Sequence, residues 1–449
     1  MLEQLVVSLK ELGEKKAAVE VLEALGRHSN KIFQFDELAK CFFKIKEFEK
    51  AKQYTEKTLE LSQSTEEQQK SKHNLINVYL HANYPDKALP IINQLELINP
   101  NDIDLQLSKA YCFFLLNKKD KGETILRKQL SNDKLSEELR STILFNIGTY
   151  EMLKDKFQEG FTKFIFEGNK LKHNKKPIFN FQKWDGSIEK DRTLILRTEA
   201  GIGDEFVNVR FMKHIKDLGM KPVWFTDRKD LLSIFNRNGY KTISNENEIN
   251  LDENPCWIHS MDIPIHLNLE YKDLWYGPYI SADKEKSPKL KDLFEVDVPK
   301  IGIRWQGNPE YEQDLHRSLP FDELLKSVSK CGAEIYSLQK DTGLEEILGH
   351  GPITNLEKYM KTFDDTLSLI DNLNLVVTSC TSIAHASAAM GKETIVLVPI
   401  SAYYTWCHST EKSPWYGDNV TILRQEKPRS WKEPLEKLEK ILESKYGNK

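Results

Sequence analysis

The sequence lacks the features that mark a secreted, zinc-binding or membrane-spanning protein. Its six cysteines are scattered and no two form a Cys-x-x-Cys pair, which disfavours a zinc site and a disulfide framework and favours a reducing compartment. No stretch approaches the roughly eighteen uninterrupted apolar residues that a membrane helix needs. The opening Met1-Leu2-Glu3-Gln4 has no basic segment that leads into an apolar signal sequence. These absences predict a cytoplasmic protein without a membrane span.

No excess of one charge sign points to a partner. Lys and Arg total 64 against 68 Asp and Glu, a net charge of −4, and this balance argues against a general nucleic-acid binder. Hydrophobic residues make up 39% of the chain, which supports packed cores and excludes global disorder. At roughly 100–200 residues per domain, the 449 residues predict two to four domains.

The first part of the chain contains a repeated pattern. An aromatic-rich run, a polar turn and a small residue beside Lys or Glu recur every 34 to 38 residues, with the small residue at Ala17, Ala51, Ala88, Gly122 and Gly160. A period near 34 is typical of tetratricopeptide repeats, which are helix–turn–helix units. The sequence therefore predicts such repeats over residues 1–172, with an irregular helical bundle as the alternative. Stacked helical pairs present a concave surface suited to a protein or peptide.

The pattern changes after residue 172. Residues 173–190 are predicted to be a linker, and the basic stretch 169–177 is either a solvated loop or a nucleic-acid patch. Short apolar runs then alternate with helical segments, which predicts two α/β lobes, at 191–290 and 298–430. The predicted strands are 193–197, 222–226, 241–244, 300–305, 334–338, 375–379, 394–398 and 420–424, and the predicted helices are 205–218, 229–236, 321–330, 364–372 and 382–390.

The turn Gly201-Ile202-Gly203-Asp204 follows the first predicted strand and opens a helix. Glycines permit a tight strand-to-helix turn and let a ligand approach the backbone. Phe206 stands where a dinucleotide-binding fingerprint has its third glycine, and no Gly-Lys-Ser/Thr follows, so neither nucleotide motif is indicated. Asp204 is interpreted either as the N-cap of the helix or as a catalytic base at the mouth of a cleft.

Cations follow two strands of the second lobe. Arg317 and Ser318 lie in a loop after the strand at 300–305; an arginine beside hydroxyl donors is a phosphate-binding set, and a solvated loop is the alternative. Lys340 follows the strand at 334–338. It is either a second cation for the same cleft or a surface lysine.

A third strand of this lobe ends in hydroxyl side chains. Thr381 and Ser382 begin a helix, with His385 one turn further on. Hydroxyls and free N–H groups at a helix amino end bind diphosphate well, and a simple Ser/Thr cap beside a core histidine is the alternative. An aromatic loop with Trp406, Trp415 and Tyr416 is interpreted either as a stacking surface for a sugar or base or as packing.

Together these segments resemble a known family. The repeats, the Gly-x-Gly-Asp-Glu turn and the segments before it resemble bacterial tetratricopeptide-repeat glycosyltransferases, and the C-terminal part is similar to the ADP-heptose:lipopolysaccharide heptosyltransferase family. The matching segments are Phe157-Gln158-Glu159-Gly160-Phe161, Trp184-Asp185-Gly186, Trp305-Gln306-Gly307-Asn308, Arg317-Ser318-Leu319-Pro320, Ser337-Leu338-Gln339-Lys340, Thr381-Ser382-Ile383-Ala384-His385 and Ser413-Pro414-Trp415-Tyr416. The resemblance covers essentially the whole chain.

The resemblance implies a GT-B fold, two Rossmann-like lobes with the acceptor on the first and the nucleotide-sugar on the second, and a C-terminal helix in 431–449 that crosses back to the first lobe. It implies a reaction without a metal or other cofactor, in which Asp204 is the catalytic base. The expected donor-binding residues are Arg304, Asn308, Arg317, Ser318, Gln339, Lys340, Thr381, Ser382 and His385. Gly201, Gly203 and Glu205 are the expected acceptor-side loop.

The expected activity is transfer of a hexose or heptose from a nucleotide-sugar donor to a hydroxyl of a protein, peptide or glycan, with the repeats as a docking surface for a protein partner. Nucleic acid is not an expected partner. The chain departs from the family at Cys380, where the family usually carries Asp. This departure favours an alternative, an interaction scaffold whose glycosyltransferase-like region is catalytically degenerate.

Overall fold

The computed structural model describes residues 2–12, 14–29, 31–167, 178–197, 201–349, 351 and 353–447. The basic stretch 169–177 and residues 198–200, which precede the Gly-x-Gly turn, lie outside these ranges. The chain forms two compact units. Met1–Asp133, Pro309–His316 and Lys427–Arg429 belong to the first, and Lys134–Asn308, Arg317–Glu426 and Ser430–Lys449 belong to the second. No helix in the described ranges combines the length and the apolar character needed to cross a bilayer.

The first unit consists mainly of antiparallel helical pairs. Its helices are α1 (Leu2–Glu11), α2 (Lys15–His28), α3 (Ile32–Lys44), α4 (Phe48–Leu61), α5 (Thr65–His81), α6 (Pro85–Ile98), α7 (Ile103–Leu115) and α8 (Lys119–Leu130). Side-chain caps begin two of them, because Ser64 accepts from the Glu67 N–H and Asp102 accepts from the Leu105 N–H. The predicted small residues Ala51, Ala88 and Gly122 are buried between paired helices. At the first repeat Ala18 is the fully buried residue, whereas the predicted Ala17 is half-buried.

The segment Pro309–His316 is part of this unit although it lies far along the chain. Glu310 forms an ion pair with Lys10 at 2.6 Å, and His316 Nε2 donates to the His81 carbonyl at 3.2 Å. The loop between Asn308 and Arg317 is therefore held by helices of the first unit.

The last helical pair belongs to the second unit. It consists of α9 (Glu137–Leu153) and α10 (Phe157–Phe161), which continues as a π-helical turn, Thr162–Glu167. The pair is close because Gly160 has no side chain: a Cβ there would lie 2.7 Å from the Gly148 carbonyl. Phe157 and Phe161 pack on Trp415 of the α/β region.

A four-stranded parallel sheet forms the first lobe of the second unit, in the order β3-β2-β1-β4. Its strands are β1 (Thr193–Arg197), β2 (Lys221–Phe225), β3 (Thr242–Ile243) and β4 (Cys256–His259). Its helices are α11 (Ile202–Asn208), α12 (Phe211–Asp217), α13 (Lys229–Arg237) and α14 (Ile263–His266). The sequence predicted one helix over 205–218, but the helix breaks at Val209 and Arg210. It did not predict β4.

A seven-stranded sheet forms the second lobe, in the order β10-β11-β9-β8-β5-β6-β7. Its strands are β5 (Lys300–Arg304), β6 (Glu334–Ser337), β7 (Ile353–Asn355), β8 (Leu375–Ser379), β9 (Thr394–Val398), β10 (Lys412–Ser413) and β11 (Gly417–Arg424), and only the β10–β11 pair is antiparallel. Its helices are α16 (Phe321–Val328), α17 (Phe363–Asp371), α18 (Ser382–Ala389) and α19 (Lys432–Tyr446), and the short helix α15 (Asp314–Arg317) before them lies mostly in the segment Pro309–His316 of the first unit. The short strands β7 and β10 were not predicted.

The C-terminal helix α19 differs from its expected position. Its apolar residues Leu435, Leu438 and Leu442 are buried in one cluster with Leu324 and Val328 of α16. This helix therefore covers the second lobe, because its leucine stripe matches the apolar face of α16, and it does not cross back to the first lobe.

The two lobes share one apolar core. Leu194 and Leu196 of β1 lie in the same cluster as Ala384 and Ala388 of α18, and α11 packs directly against α18. The predicted fold class, helical repeats followed by two Rossmann-like lobes, is confirmed. The point where α11 meets α18 brings the carboxyl ends of β1 and β8 together, and ligands bind at such ends in open α/β sheets.

Candidate functional site

Asp204 lies in the first turn of α11. The N-cap of this helix is Gly201, so the N-cap interpretation of Asp204 is wrong by three residues. Asp204 instead reaches back to the turn, and its Oδ2 accepts from the Gly201 N–H at 3.0 Å. Its other oxygen, Oδ1, accepts from the Tyr404 hydroxyl at 3.2 Å. Both oxygens of the carboxylate are thus held by donors.

Burial raises the pKa of Asp204 to about 6, while the hydrogen bonds from Tyr404 and from the Gly201 N–H act in the opposite direction. An ordinary aspartate has a pKa near 3.9. A carboxylate that titrates near neutral pH can both take up and release a proton, which is the property a general base needs.

Gly203 allows the two lobes to approach at this point. A Cβ at Gly203 would lie 2.9 Å from His385 Cδ2 and 3.5 Å from Ser382 Cα. Any larger residue would therefore push the turn that carries Asp204 away from the amino end of α18. Gly203, expected on the acceptor side, and Ser382 and His385, expected on the donor side, are neighbours across the two lobes.

The amino end of α18 has no side-chain cap. Its N-cap residue is Thr381, whose hydroxyl lies 3.3 Å from the Thr378 hydroxyl and makes no hydrogen bond to the first N–H groups of the helix. Uncapped N–H groups at a helix amino end carry a partial positive charge and favour an anion. The simple-cap interpretation of this turn is therefore not what the structure shows.

His385 is buried one turn into α18. Its Nδ1 lies 2.9 Å from the Tyr416 hydroxyl, and its ring stacks on Trp406 with a centroid distance of 5.0 Å. Burial, together with the smaller effects of the Arg210 and Arg317 charges, lowers the pKa of His385 to about 3. The imidazole is therefore neutral at physiological pH.

The expected donor-side residues after β5 are held by backbone groups. Arg317 Nη1 donates to the Cys380 carbonyl at 3.0 Å, which places the guanidinium directly before the Thr381 turn. Arg304 donates to the carbonyls of Gln306 and Leu338. Asn308 is exposed at the end of the loop after β5, and Ser318 is half-buried after Arg317.

Gln339 has a different position from the one expected of a donor ligand. It is fully buried, its amide nitrogen donates to the carbonyls of Gln306 and Thr342, and its oxygen accepts from the N–H groups of Trp305 and Gln306. The side chain thus fixes the loop after β5. Lys340, the next residue, is half-buried.

Glu205, expected on the acceptor side, is buried and anchors α11 to the region after β2. Its carboxylate accepts from Trp224 Nε1 at 3.0 Å, from the Thr226 hydroxyl at 2.9 Å and from Arg228. It has three donors on two oxygens, so it acts as a structural acceptor.

The sequence did not indicate Tyr404 or Arg210 as residues of the site, and it indicated Tyr416 only as a member of the aromatic loop. From the sequence, the aromatic loop is interpreted either as a stacking surface or as packing. Nothing in the spacing of its residues distinguishes a tyrosine that contacts Asp204 from one that only fills the core. In the ranges that the structure describes, no three His, Cys, Asp or Glu residues converge as metal ligands would.

Comparison of the sequence with protein-family models gives no match, and comparison with curated proteins gives none. Solved structures do match. A glycosyl transferase family 9 protein from Veillonella parvula has a TM-score of 0.40 and 12% identity, over 54% of this chain and 88% of that one. The ADP-heptose LPS heptosyltransferase II of E. coli has a TM-score of 0.39 and 12% identity, over 56% and 99%. An O-GlcNAc transferase from Thermobaculum terrenum has a TM-score of 0.30 and 10% identity, over 96% and 93%. The structures that match are thus those of a glycosyl transferase, a heptosyltransferase and an O-GlcNAc transferase.

Proposed function

We propose that this protein is a glycosyltransferase that moves a sugar from a nucleotide-sugar donor to a hydroxyl acceptor, with Asp204 as the general base. One observation carries the proposal: Gly203 lies against the uncapped amino end of α18, and the next residue, Asp204, is a carboxylate with a pKa of about 6. A base and an anion-binding helix end are the two groups that such a transfer needs close together.

In the proposed reaction the acceptor oxygen attacks the anomeric carbon of the donor sugar. A new C–O bond forms as the bond from that carbon to the diphosphate oxygen breaks, and the acceptor proton passes to Asp204. The leaving diphosphate gains negative charge. The N–H groups at the start of α18 and the guanidinium of Arg317, with Lys340 as a further cation, meet this charge without a metal ion.

The acceptor is proposed to be a protein, a peptide or a glycan. Helical repeats present extended surfaces that bind polypeptides, so we propose that the first unit docks the acceptor or a protein that delivers it. A cytoplasmic location is part of the proposal; it is supported by the six cysteines, which are scattered along the sequence without a Cys-x-x-Cys pair and are buried.

The test is a hydrolysis and transfer screen with UDP-, GDP-, ADP- and CMP-sugars, followed by the same assay on Asp204→Asn. We expect the wild type to turn over one donor and Asp204→Asn to lose at least about a hundredfold in kcat, since general-base catalysis contributes about 10²–10⁴-fold. The variant should fold and be more stable at pH 7.5, because the raised pKa of Asp204 means that its ionisation disfavours the folded state. A fully active Asp204→Asn enzyme would remove Asp204 from this role.

Cys380 keeps a second candidate open, an interaction scaffold with a degenerate transferase region. Cys380 is 9% exposed, and Arg317 Nη1 donates to its backbone carbonyl. The thiol supplies no carboxylate to the donor side. The scaffold is favoured if no nucleotide-sugar produces a thermal shift and none is hydrolysed.

A further inference from the structure

Arg210 is a fully buried cation between α11 and α12. It has 0% exposure. Its Nε donates to the Val207 carbonyl at 2.7 Å, and its Nη1 donates to the carbonyls of Leu274, at 2.9 Å, and Trp415. Its Nη2 donates to the Tyr279 hydroxyl at 2.7 Å. All these acceptors are neutral.

Aromatic rings complete the surroundings of the guanidinium. Its central carbon lies 4.6 Å from the ring centre of Tyr416, 4.9 Å from that of Tyr279 and 5.4 Å from that of Trp415. In the described part of the chain, no carboxylate lies within ion-pair distance of Arg210. A buried charge with only neutral partners is costly to the folded state, so its presence calls for a compensating interaction.

The site described above supplies a place for that interaction. The Tyr416 ring that faces Arg210 carries the hydroxyl that contacts His385 Nδ1 at 2.9 Å. His385 in turn lies against Gly203 and belongs to the first turn of α18. Arg210, Tyr416 and His385 thus form a chain from the buried cation to the proposed anion site.

We infer that Arg210 is a positioning residue of this site: its fixed positive charge lies behind the Tyr416–His385 pair and favours the diphosphate of the donor. The inference rests on the proposed function. The charge of Arg210 also acts, after burial and together with Arg317, to lower the pKa of His385. Because His385 is neutral, the Arg210 guanidinium is the charged group among Arg210, Tyr416 and His385. A guanidinium does not deprotonate in proteins.

The test compares ligands that differ in charge. Binding of UDP, GDP, ADP and CDP, and of the monophosphate of whichever base binds, is measured by calorimetry for the wild type and for Arg210→Met, Arg210→Gln and Arg210→Lys. Arg192→Met is the matched control. Arg192 is also a buried arginine, but it precedes β1 and binds Glu189 and the Asn254 carbonyl at the opposite end of the strand from Asp204.

We expect each neutral variant to lose about tenfold in diphosphate affinity, equivalent to about 1.4 kcal/mol, and to lose less for the monophosphate. Arg210→Lys should recover most of the loss, and Arg192→Met should leave the diphosphate-to-monophosphate ratio unchanged. General damage to the fold would lower both affinities equally. An unchanged ratio in the neutral variants, or no recovery by lysine in a folded variant, overturns the inference.

One measurement needs no variant and covers the case in which the neutral variants do not fold. A buried charge is screened by salt much less than an exposed one. The ratio of diphosphate to monophosphate affinity of the wild type should therefore persist from about 0.1 M to about 1 M NaCl. Collapse of the ratio in high salt would assign the effect to exposed cations and overturn the inference. If the wild type binds none of the four diphosphates, the proposed function itself fails.

Discussion

Replacing Tyr404 by phenylalanine removes the hydroxyl that donates to Asp204 Oδ1 at 3.2 Å. The pKa of Tyr404 is raised well above its ordinary value, first by burial and then by the nearby Asp204 charge, so the hydroxyl stays protonated and acts as the donor. This hydrogen bond lowers the pKa of Asp204, whereas burial raises it. Tyr404→Phe keeps the aromatic ring and the burial of Asp204, and it removes only the contribution of the Tyr404 hydroxyl that lowers the pKa of Asp204.

The size of the effect follows from the geometry. A hydrogen bond to a charged group contributes about 1.5–3 kcal/mol, and a distance of 3.2 Å is long for an O–H donor, so the lower end applies. One pH unit of pKa corresponds to about 1.4 kcal/mol. Tyr404→Phe should therefore raise the pKa of Asp204 by about one pH unit.

The assay is the pH dependence of kcat/KM, supported by a ¹³C titration of the Asp204 carboxyl group. The base must be ionised to accept a proton, so activity rises with pH through the pKa of Asp204. In Tyr404→Phe the acid limb should move to higher pH, with activity lost below neutral pH and recovered above it. Tyr271→Phe is the control, because its hydroxyl donates to the Cys407 carbonyl at 3.0 Å.

An acid limb and a ¹³C titration that stay in place in Tyr404→Phe would refute the assigned contact. An equal displacement in Tyr271→Phe would show that loss of any buried hydroxyl in this region has the same effect, and the specific role of Tyr404 would fail.

Two further substitutions test the packing around the site. Gly203→Ala should lower the free energy of unfolding by about 1–3 kcal/mol, because its Cβ would lie 2.9 Å from His385 Cδ2. Gly201→Ala is its control, with the nearest atom 3.6 Å from the added Cβ; equal losses in urea unfolding would contradict the steric argument. Glu205→Gln should lower the free energy of unfolding by about 1–3 kcal/mol, because one of the three donors to Glu205 would face an amide N–H₂ group. An unchanged urea unfolding midpoint would show that these hydrogen bonds are dispensable.

The repeated small residues predicted helical pairs correctly because close helix packing admits only Ala or Gly at the contact. The same pattern placed the first contact at Ala17, although Ala18 is the buried residue, since adjacent alanines are equivalent in a spacing argument. Long apolar runs predicted the central strands. The short strands β7 and β10, of three and two residues, carry too few residues for a period to be recognised, and only their sheet partners define their bounds.

The sequence identified the turns that form the candidate site, because a turn after a strand depends on residue types within a few positions, here glycines, hydroxyls and cations. The sequence could not show which of these side chains are available to a ligand and which are used in hydrogen bonds within the protein. Gln339 and Glu205 have the residue types of ligand-binding groups, yet neighbouring strands and loops use all their oxygens. Partners that lie 19 to 34 positions away in the chain decide this.

By itself, the sequence determined the helical repeats, the two α/β lobes and the local turns at Asp204 and Thr381, since each follows from periodicity or from residue type within a few positions. Only the tertiary structure decided that these two turns meet across Gly203, that Tyr404 holds Asp204, and that Arg210 is a buried cation without a carboxylate partner in the described ranges. The physical reason is that burial and electrostatic interaction depend on distance in space, and residues 200 positions apart in the chain become neighbours only after the lobes have packed.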